Sequence, residues 1–132
     1  AVHQALEKAQ VYRNMLYAYL SEVPNVEIIA EMADFFLRYD RIGWSFVMGK
    51  YRDSLVLSIR STHLKAKAGE IVKKLVPDPD SVGGHDRIAG GSIDIAGYSS
   101  AQTEGLIKEI LQRFSKIRGF QNAAWKPFLI QE

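Results

Sequence analysis

Residues 82–92 hold the densest set of groups in this chain that could bind an anion. Four glycines, the imidazole of His85 and the guanidinium of Arg87 fall within this stretch, just after a loop sequence that runs Pro-Asp-Pro-Asp. Glycine lets the main chain come close to an oxyanion and turn successive N–H groups toward it. His85 and Arg87 can add charge-assisted hydrogen bonds. The chemistry that this stretch favours is therefore the binding of a phosphate-bearing ligand.

The same run resembles the Gly-Gly-Gly-His-x-x-Ala-Ala-Gly signature of the C-terminal substrate-binding domain of DHH-family phosphoesterases. This superfamily includes RecJ-like exonucleases, exopolyphosphatase-related proteins and oligoribonuclease/pAp-phosphatase enzymes. Val82 stands where the family usually has its first glycine, and Ile88 stands where it has the first alanine of the pair. The sequence Ser-Ile-Arg-Ser at residues 58–61 resembles the Ser-x-Arg-Ser strand that family members place beside the glycine loop.

The resemblance implies roles for individual residues. His85 would contact a substrate phosphate and, beside a metal centre on another domain, stabilise charge in the transition state, which makes it the catalytic candidate. Arg60 would hold phosphate with its bidentate fork. The full substrate-binding set is Ser58, Arg60, Ser61, Gly83, Gly84, His85, Arg87, Gly90 and Gly91. Ordinary structural roles compete with these assignments: a surface ion pair for Arg60, turn formation for the glycines and a structural histidine at 85.

Metal chemistry has little support within the chain itself. His3, His63 and His85 are far apart in sequence, cysteine is absent, and no His-x-x-x-His or Asp-His-His motif occurs. We therefore expect no metal site and no cofactor in this chain. The resemblance implies that manganese is bound by a separate N-terminal DHH domain, which would be the partner of this one. The chain would then be a piece of a longer protein and inactive as a phosphoesterase on its own.

Charge is distributed unevenly along the chain. Between Lys50 and Leu75 seven cations face two anions, a local charge of +5, whereas the whole chain carries +2. Such a zone attracts polyanions, although a solvated helix face gives the same pattern. The expected partners are a phosphate-bearing small molecule or a short single-stranded nucleic acid, and a homodimer stays open. No apolar run of membrane-spanning length and no signal peptide is present, so we expect no membrane contact and a cytoplasmic location.

Hydrophobic spacing predicts a single α/β domain over residues 1–132, with a mixed β-sheet flanked by helices. Helical periodicity indicates helices over residues 1–20, 26–39 and 64–75, and a last helix capped by Ser100. Alternating apolar residues from Trp44 to Ser61 predict an antiparallel hairpin that places Ser58 and Arg60 on one face. The glycine run is expected to be a loop before a strand at 92–96, and the tail at 125–130 an edge strand or a docked segment.

Three functions remain open at this point. The resemblance favours the substrate-binding domain of a manganese-dependent DHH-family phosphoesterase that acts on a short oligonucleotide, a nucleoside bisphosphate or polyphosphate. The alternative is a non-catalytic nucleic-acid-binding module, since a related domain ends alanyl-tRNA synthetases and binds tRNA there. A third hypothesis is a scaffold whose glycine loop binds nothing.

Overall fold

Within the part of the chain that the structure describes, a seven-stranded sheet has two helices packed against each face. The computed structural model describes residues 2–78 and 82–129. Its elements are α1 (Val2–Lys8), β1 (Gln10–Tyr12), β2 (Met15–Glu22), α2 (Glu27–Phe36), β3 (Trp44–Tyr51), β4 (Ser54–Ser61), α3 (Ala68–Leu75), β5 (Gly83–Gly84), β6 (Ile88–Asp94), α4 (Ser100–Ile117) and β7 (Lys126–Pro127).

The strands lie in the order β5-β6-β4-β3-β2-β1-β7. β2 and β3 are parallel and are joined through α2, whereas the other neighbouring pairs are antiparallel. The expectation of a mixed sheet is therefore confirmed. The hairpin of β3 and β4 is also confirmed, with Ser45 opposite Arg60 and Val47 opposite Ser58. The tail contributes the edge strand β7, which pairs with β1.

Two hydrophobic cores lie on the two faces of the sheet, because successive side chains of a strand point to opposite sides. α3 and α4 pack on one face, where Phe46 and Phe114 are fully buried with ring centroids 4.8 Å apart. α1 and α2 pack on the other face, where Val47 contacts a cluster that includes Ile29 and Phe36. The face that α3 and α4 cover is called the α3 side of the sheet, and the face that α1 and α2 cover is called the α2 side.

The prediction of one helix over residues 1–20 is wrong. Only α1 is helical, and the chain then forms β1 and β2 around a turn in which Arg13 has a φ of 55°. Met15, Leu16, Tyr17 and Ala18 are all buried in succession. A strand covered on both faces has a continuous apolar run, and such a run also satisfies helical spacing.

The glycine run is not a loop but the β5–β6 hairpin. β6 begins at Ile88 rather than at residue 92, so Gly90 and Gly91 lie inside a strand. The predicted helices are shorter than expected: α2 ends at Phe36, and α3 begins only at Ala68. Residue 1, residues 79–81 of the predicted loop and residue 130 of the predicted tail lie outside the described residues.

No helix within residues 2–78 and 82–129 combines the length and the apolar character that crossing a membrane requires.

The N-cap of α4 is Ser99 and not Ser100. Ser99 Oγ accepts from Gln102 N at 3.1 Å, and Ser99 N donates to Gln102 Oε1 at 2.8 Å, which forms a capping box.

Replacing Ser99 by Ala should lower the free energy of unfolding by ~1 kcal/mol, because an orphan N–H of the first turn loses its acceptor. Ser100→Ala is the matched control and should change stability by less than ~0.5 kcal/mol. Urea denaturation of both variants measures the difference. Equal losses in the two variants would contradict the assignment of the cap.

Candidate functional site

The turn of the β5–β6 hairpin is fixed against the first turn of α3. His85 N donates to Ile88 O at 2.7 Å and closes the hairpin. The carbonyl oxygens of Asp86 and His85 accept from Ala68 N at 3.0 Å and Gly69 N at 3.1 Å. The first N–H groups of a helix have no acceptor within the helix, and here the hairpin supplies two. The start of α3 therefore holds the hairpin and leaves these two amides unavailable to an anion.

Gly84 has to be a glycine for the hairpin to close. Its φ is +124°, and a Cβ atom there would overlap the carbonyl oxygen of Ile88 and lie 2.5 Å from Ala89 Cα. Gly83, one residue earlier, has open space around the same position. At Gly90 the restriction is milder, since a Cβ atom would lie 2.9 Å from Leu57 O on the neighbouring strand.

A cleft of about 280 Å³ lies between the hairpin and α3, and we call it the glycine cleft. His85 is exposed at this cleft, and two lysines lie with it. Two carboxylates, those of Glu70 and Asp86, partly offset their charge. The described lining residues are Lys67, Gly69, Glu70, Lys73, Val82, Gly83, Gly84, His85 and Asp86. The cleft thus brings together an imidazole, two ammonium groups and the exposed backbone of Gly83 and Gly84.

Arg60 lies on the α2 side of the sheet and has a partner within the chain. Its Nε donates to Asp34 Oδ1 at 2.6 Å, and its Nη1 donates to Ile59 O at 3.1 Å. The side chain of Arg60 is 10% exposed, whereas that of Asp34 is 63% exposed. An incoming phosphate would have to compete with the Asp34 carboxylate or bind beside it.

The two serines near Arg60 differ in their surroundings. Ser61 Oγ donates to Gly43 O at 3.0 Å and accepts from His63 N at 3.1 Å, so this buried hydroxyl holds the end of β4 in place. Ser58 is 7% exposed and lies opposite Gly90 in the sheet.

The predicted site residues meet at one end of the sheet but divide between its two faces. Ser61 N donates to Arg87 O at 3.0 Å, and Arg60 lies opposite Ile88, so the end of β4 joins the hairpin turn. Gly83, Gly84 and His85 belong to the glycine cleft, while Arg60 pairs with α2 on the other face and is not among the described lining residues. Arg87 is exposed in the turn, and Gly91 lies opposite Leu57.

The basic segment is also divided. Arg52 lies in the turn between β3 and β4, at the far end of the hairpin, with its guanidinium 4.9 Å from the ring centroid of Tyr51. Lys67 and Lys73 line the glycine cleft. Sequence reasoning placed these two lysines in a basic zone but did not include them in the site. It missed Asp34 altogether, because nothing in the sequence links this residue to an arginine 26 positions later.

Metal-binding side chains are not gathered in the part of the chain that the structure describes. Within residues 2–78 and 82–129 no group of three or more histidines, cysteines, aspartates or glutamates is placed to hold a metal ion.

Comparison with known proteins places the fold but not the activity. No family model matches the chain. An uncharacterised protein of Methanocaldococcus jannaschii is 27% identical over 116 residues, which cover 84% of this chain and 23% of that protein. The chain therefore spans about a quarter of the length of the curated relative it matches.

Two solved structures share the fold. An exopolyphosphatase-related protein from Bacteroides fragilis superposes with a TM-score of 0.61 and 14% identity, over 88% of this chain and 34% of the other. The C-Ala domain of the alanyl-tRNA synthetase from Aquifex aeolicus superposes with a TM-score of 0.52 and 22% identity, over 79% of this chain and 97% of the other. The chain is thus an α/β domain of the kind found in both proteins, which is the fold that the resemblance implied.

Replacing Gly84 by Ala should lower the free energy of unfolding by ~1 kcal/mol or more, because the new methyl group strains a positive φ and overlaps β6. Gly83→Ala is the matched control and should change stability by less than ~0.5 kcal/mol. Denaturant midpoints of the two variants provide the measurement. A Gly84→Ala protein as stable as the wild type would show that the hairpin does not need this conformation.

Proposed function

We propose that this domain binds the phosphate groups of a DHH-type phosphoesterase substrate in the glycine cleft. The ligand would be a short oligonucleotide, a nucleoside bisphosphate or polyphosphate. The observation that carries the proposal is that His85, Lys67 and Lys73 line one cleft beside a hairpin that closes only with glycine at 84. Imidazolium and ammonium groups form strong charge-assisted hydrogen bonds with phosphate oxygens.

Side chains, rather than main-chain amides, would hold the phosphate in this site. The amides of His85, Ala68 and Gly69 already donate to carbonyl oxygens of the chain. The exposed His85 is then the residue best placed to reach a bound phosphate. Lys67, at the start of α3, and Lys73, within α3, also line the cleft. The hairpin turn would already hold the backbone of His85 in place, so binding would carry no further cost in backbone entropy there.

Arg60 would take part only with a ligand long enough to pass from the glycine cleft over the end of the sheet. Arg60 lies on the α2 side, and the exposed residues Arg87 and Ile88 separate it from the cleft. A chain of phosphates or nucleotides could cross this edge, whereas a single phosphate could not. Ser58 and Ser61 would support Arg60 and the strand end.

The catalytic metal would belong to another part of the full-length protein. The resemblance to DHH phosphoesterases implies manganese on a separate N-terminal domain, and the residues described for this chain do not form such a site. This domain would bind and orient the substrate while the metal-bearing domain hydrolyses it.

The alternative, a nucleic-acid-binding module without catalysis, draws on the likeness to the C-Ala domain, which covers nearly all of that chain. The sequence upstream of this chain in the full-length protein separates the two. An Asp-His-His motif there would favour the enzyme, and a synthetase body would favour the module.

Replacing His85 by Ala should weaken binding of pAp or a short RNA by ~1.5 to 3 kcal/mol, the range for hydrogen bonds to charged groups. His3→Ala, at an exposed position of α1, is the control and should leave affinity unchanged. Arg60→Gln should weaken the binding of the RNA but not that of inorganic phosphate. Calorimetric titration of each variant tests these expectations, and unchanged affinity in His85→Ala would remove the glycine cleft from the binding site.

This chain alone should not hydrolyse phosphoesters, because its described residues gather no metal ligands. The assay combines the purified chain with manganese and pAp, a short RNA or polyphosphate. It follows phosphate release from pAp and polyphosphate and mononucleotide release from the RNA. Turnover that survives repurification and is abolished by a chelator would show that the chain carries a catalytic centre of its own.

A further inference from the structure

A second cleft lies beside the segment that leads into α3, and we call it the tryptophan cleft. It has a volume of about 420 Å³ and is lined by Trp44, His63, Leu64, Lys65, Ala66 and Arg118. The glycine cleft begins at the next residue, Lys67, so the two clefts share this segment. None of the residues proposed to bind phosphate in the glycine cleft lines the tryptophan cleft.

Two buried donors in the tryptophan cleft have no acceptor. Trp44 Nε1 and Arg118 Nε are inaccessible to solvent and form no hydrogen bond within the described residues. Trp44 as a whole is 3% exposed. Leaving a buried donor without a partner is unfavourable, and more so for a charged group, so native structures seldom keep one without a reason. The other tryptophan behaves as expected, since Trp125 Nε1 donates to Ser115 Oγ at 3.2 Å.

The charges of the tryptophan cleft are all of one sign. Lys65 and Arg118 line it, and its described lining contains no carboxylate. Arg118 is part of no salt bridge among the described residues, and burial lowers the pKa of its guanidinium. The guanidinium carbon lies 4.2 Å from the ring centroid of Trp44, and the ring of His63 lies 5.9 Å from the indole. The cation–π contact stabilises the arginine but gives its N–H groups no acceptor.

We propose that the tryptophan cleft is a second binding site, which takes an anionic oxygen-bearing group, a phosphate or a carboxylate. Arg118 and Lys65 neutralise its charge, and the indole N–H of Trp44 donates to one of its oxygens. The guanidinium of Arg118 lies over the indole of Trp44, so the arginine side chain turns toward the anion as the anion enters. The site is separate from the glycine cleft and does not depend on the function proposed for that cleft.

The indole N–H resonance of Trp44 reports directly on this site. Two-dimensional NMR of the ¹⁵N-labelled chain shows one indole signal for each of its two tryptophans, and Trp125→Phe assigns the signal of Trp44. Titration with inorganic phosphate, and separately with acetate, should move the Trp44 signal along a saturating curve. The Trp125 signal is the internal control and should stay in place. Sodium chloride at matched ionic strength should move neither signal.

Three variants test whether the response arises from anion binding in the tryptophan cleft. Arg118→Gln keeps much of the side-chain length without the charge, and it should weaken the response by roughly tenfold or more. Arg113→Gln, on the same helix but paired with Glu109, should respond as the wild type does. His85→Ala should retain the Trp44 response, because the two clefts bind independently.

The proposal is overturned by any of three results. These are a Trp44 signal that neither anion moves beyond the chloride control, an Arg118→Gln variant that binds as the wild type does, and a response that His85→Ala abolishes. A response to phosphate alone identifies a phosphate site, a response to acetate alone identifies a carboxylate site, and a response to both supports the shared chemistry.

Discussion

The missing side chain at Gly84 is the constraint on which the candidate site depends. Any Cβ atom there would overlap the carbonyl oxygen of Ile88, so only glycine lets β5 turn back onto β6 at this point. The closed hairpin then presents the carbonyls of His85 and Asp86 to the first amides of α3. One backbone conformation thus fixes the main chain of His85, forms one wall of the glycine cleft and supplies acceptors to the first amides of α3. A change at residue 84 affects all three at once.

The candidate site residues around this hairpin lie on two different faces of the sheet. On the α3 side the hairpin and the helix form a cleft with His85 and two lysines. On the α2 side Arg60 is buried and paired with Asp34, so its charge is already partly neutralised within the chain. The end of β4 is tied to the hairpin turn and to the start of β3, because Ser61 N donates to Arg87 O and Ser61 Oγ donates to Gly43 O. The elements that position the site are therefore coupled through main-chain hydrogen bonds more than through side chains.

The sequence predicted best where local patterns determine structure. The alternation from Trp44 to Ser61 identified the β3–β4 hairpin and the shared face of Ser58 and Arg60, because a period of two is incompatible with a helix there. The run from Met15 to Ala18 wrongly predicts a helix, because burial on both faces of the sheet removes the alternation of apolar and polar residues that marks a strand. The glycines were interpreted as a loop, although Gly90 and Gly91 lie in β6.

Long-range contacts could not be predicted from the sequence. The pair of Arg60 and Asp34, and the contact of Arg118 with Trp44, join residues on distant elements. Periodicity places side chains on faces of elements, but it does not say which elements meet. These contacts decide which cations are already neutralised and which still lack an acceptor. The sequence therefore names the candidate residues but does not predict that the sheet divides them between its two faces.

The most direct test of the central claim is an amide NMR titration of the ¹⁵N-labelled chain with pAp. If the glycine cleft binds phosphate groups, the amides of Gly69, Gly84 and His85 will show saturating shifts with a common dissociation constant, while the amides of α1 stay in place. If pAp binds by calorimetry while those three amides do not move, the ligand binds elsewhere and the account of the glycine cleft is wrong.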